Sequence, residues 1–291
     1  MSKYYCLIAG LPNITLEDSK LVYSVADFRT ELSGILSAKD KKLIDLFYLK
    51  YDNRNVLAYL KDPNAQFDER GCISYDKIAD SYRLLKNEEK LLKEKIPVYI
   101  LDFLKLYVTE ELNEKKDEEK AILWEDRLAT LYYAYAMKCG NRFVSDWFEL
   151  NLNINNVLTA ITCRKHGFDK AEYIVGNNEV ANTIRTSNAR DFGLSDSVEY
   201  LPDLQRIAEE EDLLLREKKV DSLKWKWLDD STFFKTFDIE NVFAYLVKLE
   251  MIERWVLLDK ATGEKTFRQI VDAMKKGSIN TLEEFKKSSN K

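Results

Sequence analysis

One short sequence pattern occurs three times in this chain. It reads Asp or Asn, two residues, Asn, Val, Leu or Phe, two residues, and Leu or Ile, and it occupies 52–60, 153–161 and 238–246. Each copy follows an aromatic-rich stretch, LIDLFYLKY, FVSDWFELN or STFFKTF. Since Asp and Asn are good helix N-caps, we predict that a new helix begins at Asp52, Asn153 and Asp238. The apolar side chains of each copy would pack it back on the aromatic helix before it.

The distance between the copies limits how they can be arranged. Successive copies lie much further apart than the roughly 20–50 residues of solenoid repeats, so a linear stack of small units does not fit. We predict a single domain, 1–291, made of three internal repeats that span approximately 17–115, 118–218 and 219–287. The competing interpretation is chance, because Asn-Val-Leu after a capping residue is a common way to start a helix.

The rest of the sequence also favours helices. Only 9 Gly and 4 Pro occur, and the Asn-Gly and Asp-Gly turns that join strands are missing, which argues against a β-rich fold. Apolar residues recur every three or four positions from Trp124 to Leu150, and this spacing predicts one long helix, Glu118 to Leu150. We interpret Gly140 as a close-packing point in that helix, with a kink at Gly140–Asn141 as the alternative. The predicted fold class is therefore all-α.

Charge and hydropathy exclude several classes of function. The formal net charge of -5 leaves no general basic surface, so nucleic acid is not an expected partner. No run reaches the roughly 18 apolar residues that predict a membrane-spanning helix. The four Cys form no C-x-x-C pair, and the first residues lack a signal-peptide pattern, which predicts a cytoplasmic protein.

The sequence carries no complete set of catalytic or metal-binding residues. The single histidine, His166, has only Cys163 as a nearby second zinc ligand, and zinc prefers four. The stretch RKHG is typical of a helix C-terminus capped by Gly167, and DFG at 191–193 lacks the other kinase motifs, which predicts a turn. We therefore expect no catalytic residue, no cofactor, no metal and no enzyme activity. A helical enzyme using a carboxylate-bound metal, for example at AEEEDLLL, and a generic helical adaptor remain as alternatives.

Two of the copies resemble a known family. The stretch NINNVLTAITCRKHGFD is similar to the signature of the C subunit of A-type and V-type ATPases, named the d subunit in the eukaryotic enzyme; the matching residues are Asn153, Asn156, Val157, Ile161, Arg164 and Gly167. The stretch DIENVFAYLVKLEMIERWVLLDKATGE resembles the C-terminal helix of that family; the matching residues are Asp238, Tyr245, Leu246, Glu250, Arg254, Lys260 and Gly263. The opening YYCLIAGLP departs from this family and resembles a bacterial family of unknown function associated with V-type ATPases.

The resemblance implies a fold and a role. Members of the C-subunit family are all-helical funnels, built of three related lobes about a pseudo-threefold axis. They have no catalytic residues, and they link the central stalk of the rotary ATPase to the membrane rotor ring. By this resemblance the expected partners are central-stalk subunits and the rotor ring. The expected location is the cytoplasmic side of the inner membrane, with membrane contact only through partner subunits.

The resemblance also suggests interface residues. Arg164, Lys165 and Arg254 are candidates for the contact with the stalk, by their motif positions alone. The first copy departs from the family pattern, because it has Lys61, Asp62 and Pro63 where a family Arg is expected.

Overall fold

A computed structural model describes residues 4–87, 96–112 and 120–258, together with Lys265. Over these residues the chain is helical and contains no strand, which confirms the predicted all-α class. The helices are α1 (Tyr5–Gly10), α2 (Val25–Ile35), α3 (Ala38–Lys61), α4 (Tyr75–Lys86), α5 (Val98–Leu112), α6 (Lys120–Ala136), α7 (Arg142–His166), α8 (Lys170–Tyr173), α9 (Glu179–Thr186), α10 (Leu201–Ala208), α11 (Leu213–Thr232) and α12 (Ile239–Leu257).

Short polar side chains fix the starts of several helices. Ser24 forms a capping box with Asp27 at the start of α2, and Asp212 accepts two backbone N–H groups at the start of α11. Such caps satisfy N–H groups that have no partner inside the helix. The acidic stretch that contains Asp212 thus lies at a joint between α10 and α11.

The long helix predicted from Glu118 to Leu150 is wrong. The chain instead forms α6 and α7, which are separated by a turn at 137–141. Gly140 adopts φ +77° with open space around its Cα, so it breaks the helix and is not a close-packing point. The side chain of Asn141 then accepts the N–H of Val144 and starts α7. The apolar spacing continues across the turn because both helices face the same core. Glu118 lies outside the described residues.

The predicted helix starts at Asp52 and Asn153 are also wrong. Both residues lie inside long helices, α3 and α7, which begin upstream and include the aromatic stretch. No Gly or Pro separates the aromatic stretch from either copy, and the buried side chains of Asp52 and Asn153 bind distant backbone or side-chain groups. Only Asp238 occupies the N-cap position, before α12, and its side chain makes no capping hydrogen bond.

Helix α12 lies at the centre of the core. It packs against α2, α3, α7 and α11, and its buried residues are spread around its whole circumference. Phe243 contacts the rings of Phe143 and Phe148 from α7, and Glu250 pairs with Lys50 from α3. The helix with the third copy therefore contacts both helices with the other two. The pseudo-threefold arrangement of three lobes stays a prediction, and the end of the third repeat, beyond 258, lies outside the described residues.

None of the helices in the described ranges combines the length and the apolar character that a bilayer crossing requires.

Candidate functional site

In the first copy, the polar residues of the pattern hold a loop that follows α3. The carboxylate of Asp52 accepts the backbone N–H groups of Cys72 and Ile73, all at 2.9 Å. The side chain of Asn55 accepts the N–H of Asp68 at 2.8 Å and donates to its carbonyl at 2.9 Å. Both side chains are buried. They fix the loop that leads into α4.

The second copy repeats this arrangement on α7. The side chain of Asn156 accepts the N–H of Val175 at 3.0 Å and donates to its carbonyl at 2.8 Å. Asn153 accepts a hydrogen bond at 2.8 Å from Asn178, whose own side chain caps α9. In both copies the first residue thus binds a group at or just before the start of a later helix, α4 or α9, and the Asn brackets one loop residue. We call each Asn with its bracketed residue, Asn55 with Asp68 and Asn156 with Val175, a loop clamp.

An arginine reinforces each loop clamp. Arg29 donates to the carbonyls of Arg70 at 2.6 Å and of Gly71 at 3.1 Å. Arg185 donates to the carbonyls of Ile174 at 2.7 Å and of Gly176 at 2.6 Å. Each loop therefore has two of its carbonyls bound by one guanidinium. A guanidinium is a stronger donor than a neutral group. The third copy has no loop clamp among the described residues, since its chain is described only to 258.

Arg164 and Lys165, two of the predicted contact residues, lie in the last turn of α7. That helix ends at His166, and Gly167 caps it with φ +73°, which confirms the predicted helix end. Arg164 donates to the carbonyls of Ala189 and Arg190, both at 2.6 Å, and its guanidinium lies 3.8 Å from the centre of the Phe192 ring. Arg164 therefore holds the predicted turn at 191–193 in place. Lys165 is exposed.

Arg254, the third predicted contact residue, lies near the end of α12 and pairs with Asp221 of α11. Asp221 is buried, and it also accepts a hydrogen bond from the indole N–H of Trp255 at 2.7 Å. In the described part of the chain, no hydrogen bond or ion pair joins Arg254 to Arg164 or Lys165. The predicted residues thus belong to two separate places, and Arg254 and Arg164 both support the fold.

Arg254 belongs to a larger group of charged side chains where α3, α11 and α12 meet. The charges of Arg54, Glu250 and Arg254 act on Lys50, and those of Arg254, Asp221 and Glu250 act on Lys224. The loop after α3 adds Arg70, which pairs with Asp68. We call the five basic residues the cationic face; they are Lys50, Arg54, Arg70, Lys224 and Arg254.

The acids of this region lie deeper than the bases. The side chains of Asp221, Glu250 and Asp68 are 3%, 23% and 24% exposed, whereas those of their partners Arg254, Lys50 and Arg70 are 41%, 31% and 59% exposed. In each of these three pairs the base is therefore the more exposed partner, although the chain as a whole is acidic. Glu217, an exposed acid of α11, also acts on Lys224 and Arg254.

Two basic residues of the cationic face differ from the other three in their pairing. Neither Arg54 nor Lys224 forms a hydrogen bond or an ion pair with any other side chain in the ranges that the structure describes. Burial lowers the pKa of Lys224, and the nearby Asp221 opposes that effect. Burial also lowers the pKa of Lys50, against the influence of Glu250. An added negative group at this face would relieve both effects, because it would favour the charged amines.

The ring of Tyr51 lies close to three basic side chains of the cationic face. Tyr51 is buried, and its ring centre lies 4.1 Å from the guanidinium of Arg70, 5.1 Å from the amine of Lys50 and 5.9 Å from the guanidinium of Arg54. Cations over an aromatic face are attracted by its quadrupole. The ring therefore holds three positive charges close together without neutralising them.

Sequence reasoning identified only one residue of the cationic face, Arg254. Lys50, Arg54, Arg70 and Lys224 come from three separate stretches that the fold brings together, and none of them belongs to the repeated pattern's fixed positions. One available signal was the spacing of Lys50 and Arg54, which places two bases one helical turn apart on the same face. Among the described residues, no three His, Cys, Asp or Glu side chains are grouped as metal ligands would be.

Comparison with known proteins gives one match. No curated protein and no solved structure matches the chain. The model of a family described as "Protein of unknown function (DUF2764)" matches residues 1–278, nearly the whole length. The chain therefore belongs to the DUF2764 family of proteins of unknown function.

Proposed function

We propose that this chain is a non-catalytic coupling subunit of a V-type or A-type rotary ATPase, which links the central stalk to the membrane rotor ring during ion transport. It would lie at the cytoplasmic face of the inner membrane and contact the membrane only through its partners. The proposal starts from the resemblance of the second and third copies to the C-subunit family. The loop clamps and the cationic face do not by themselves identify the chain as an ATPase subunit.

The packing of the three pattern-bearing helices is the observation that most supports this role. Helix α12 contacts α3 and α7 directly, through the Lys50–Glu250 ion pair and through Phe243 with Phe148. A protein that transmits torque has to resist deformation between its two contact surfaces. Helices with satisfied backbone bonds that share one close-packed core deform little.

The loop clamps add to this stiffness. Asn55 and Asn156 each tie a loop residue to the middle of a long helix by two hydrogen bonds. Loops that would otherwise move separately thus move with α3 and α7. This suits a protein that works as a rigid spacer, and it leaves the exposed surfaces free for partners.

Reconstitution with purified partners tests the proposal. The full-length chain is mixed with the central-stalk subunits and, separately, with the detergent-solubilised rotor ring of the rotary ATPase from the same organism. Size-exclusion chromatography with light scattering then measures the mass of each complex. We expect the chain to bind both partners with a fixed stoichiometry.

The two alternatives predict different results. A generic adaptor would bind neither the stalk nor the ring under conditions in which known ATPase subunits assemble, and that result would overturn the proposal. A metal-dependent enzyme would bind Mg²⁺ or Mn²⁺ in an isothermal titration, and the carboxylates of 208–215 would be required. Glu210 already pairs with Lys219, and Asp212 already caps α11, so we expect no such binding at this stretch.

A further inference from the structure

We propose that the cationic face binds a carboxylate-rich helical segment of a partner protein. The inference rests on the proposed function for the identity of that partner, which would be the end of the central stalk. The chemistry of the face stands without that identity. It is carried by the position, the exposure and the pairing of its five basic residues.

Charge complementarity favours an acidic partner. Three of the bases are already paired with acids, and the base is the more exposed member of each pair. Arg54 and Lys224 add two further positive charges that form no ion pair in the described part of the chain, although the charges of Asp221, Glu217 and Glu250 act on Lys224 from a distance. A binding surface whose outer layer is positive selects a negative partner and repels a positive one.

The geometry favours carboxylates that lie on a helix. Lys50 and Arg54 are four residues apart on α3, so their side chains emerge one turn apart on the same side. Asp or Glu residues one turn apart on a partner helix would match this spacing. Arginine donates two parallel hydrogen bonds to a carboxylate, and Arg54 has its whole guanidinium available for them.

A phosphate ligand fits less well. Phosphate sites commonly use the backbone N–H groups of a helix N-terminus, whereas Lys50, Arg54 and Lys224 lie well inside α3 and α11 and Arg254 lies in the last turn of α12. A base in a last helical turn also offsets the helix dipole, which accounts for Arg254. It does not account for Arg54 or Lys224.

Fluorescence anisotropy with a defined peptide tests the inference. The probe is a labelled alanine-based helical peptide with Glu at every fourth position, and its control is the same peptide with Gln in place of Glu. The wild-type full-length chain should bind the Glu peptide, with an affinity that falls as salt increases, and should not bind the Gln peptide. Equal binding of both peptides, or of neither, would overturn the inference.

Matched charge reversals locate the binding surface. Arg54→Glu with Lys224→Glu should raise the dissociation constant of the Glu peptide at least tenfold, about 1.4 kcal/mol. Lys138→Glu with Lys226→Glu changes the net charge equally at exposed positions outside the face, and it should leave the constant within about twofold. An equal loss in both variants would mean non-specific attraction and would contradict the inference.

Folding and competing ligands are controlled separately. Circular dichroism checks that each variant is folded, and Arg54→Gln with Lys224→Gln replaces the reversal if the new carboxylate beside Asp221 prevents folding. Inorganic polyphosphate is the competing anion. If polyphosphate binds the face more tightly than the Glu peptide does, the face takes phosphate and the inference is wrong.

The same variants separate this inference from the proposed function. If the wild type binds the Glu peptide but not the stalk, the coupling role fails and the chemistry of the face stands. If Arg54→Glu with Lys224→Glu abolishes peptide binding but leaves stalk binding unchanged, the stalk contacts another surface and the partner assigned here is wrong. Loss of both in this variant alone supports the whole inference.

Discussion

The side chain of Asn156 brackets the backbone of Val175, accepting its N–H at 3.0 Å and donating to its carbonyl at 2.8 Å. Asn156 lies inside α7, and Val175 lies in the loop that leads into α9. Asn55 and Asp68 form the same relationship in the first copy. The repeated Asn is thus a residue that attaches a loop to a helix, and it does not start one.

Asn156→Ala should lower the free energy of unfolding by about 2–4 kcal/mol. The substitution leaves the N–H and the carbonyl of Val175 without partners, and each such group costs about 1–3 kcal/mol when it is buried. Urea denaturation measures the change. Asn155→Ala is the matched control, because Asn155 is adjacent and exposed, and it should change the stability by about 0.5 kcal/mol or less. Equal effects of the two substitutions would argue against the loop clamp.

Gly176→Ala should destabilise the protein by about 2–4 kcal/mol. Gly176 has φ +82°, and an added Cβ would lie 2.8 Å from Cδ2 of Leu152, so both backbone strain and overpacking oppose the new methyl group. Thermal and urea unfolding measure the loss. Gly34→Ala is the control, because Gly34 lies in α2 with open space around it; it should stabilise by up to about 1 kcal/mol. A Gly176→Ala protein as stable as the wild type would contradict the close contact between Gly176 and Leu152.

Asp52 should make the stability of the wild type fall between about pH 4 and pH 6. Burial raises the pKa of Asp52 to about 6, against the N–H groups of Cys72 and Ile73 and the charge of Arg29, while Asp45 adds to the rise. The folded state therefore keeps a proton that the unfolded state releases near pH 4. This difference in proton binding stabilises the folded state fully below about pH 4. As the pH rises to about 6 that stabilisation is lost, and the free energy of unfolding falls by up to about 3 kcal/mol.

Asp52→Asn isolates this effect from the other carboxyl groups, because Asn does not titrate and occupies the corresponding position, 153, in the second copy. Urea denaturation of both proteins at several pH values gives the difference in their unfolding free energies. We expect the wild type to lose stability relative to Asp52→Asn between pH 4 and pH 6. A difference that stays constant with pH would rule out a raised pKa at Asp52.

Arg254→Ala should lower the unfolding free energy by about 1–3 kcal/mol. It leaves the buried Asp221 with the indole N–H of Trp255 as its remaining hydrogen-bond partner and with the charge of Lys224 nearby. A buried charge that loses its paired counter-ion is costly. The partial exposure of Arg254 reduces the cost. Arg142→Ala removes an exposed Arg whose ion pair with Asp146 is surface-exposed, and it should have almost no effect. If both substitutions are neutral, Arg254 does not support the fold.

Of the three candidate contact residues, Lys165 is the most suitable for testing the stalk contact that the family resemblance implies. Arg164 and Arg254 both bind other parts of this chain, so changing them affects folding and binding together. Lys165→Glu alters an exposed side chain and should leave stability within about 0.5 kcal/mol. A pull-down of stalk subunits by the wild type and by Lys165→Glu then measures the contact directly. Unchanged binding would reject Lys165 as a stalk contact.

The fold class and some helix ends follow from the amino-acid sequence alone. Few Gly and Pro, with apolar residues every three or four positions, specify an all-helical chain. Gly167, the last residue of RKHG, specifies the end of α7. The residue that caps this kind of helix end needs a positive φ, which glycine adopts without strain. These features depend on neighbours in the chain, so sequence patterns are sufficient to predict them.

The tertiary structure, by contrast, determines where the polar residues of the pattern act and which charges meet. Asp52 and Asn153 are residue types that commonly cap helices. Their partners, however, are loop groups about 20 or more residues away. The apolar spacing predicted one helix across Gly140 because α6 and α7 both face the same core. The cationic face joins α3, a loop, α11 and α12. A hydrogen bond or ion pair between such distant residues depends on how the helices pack, and local propensity contains no information about that packing.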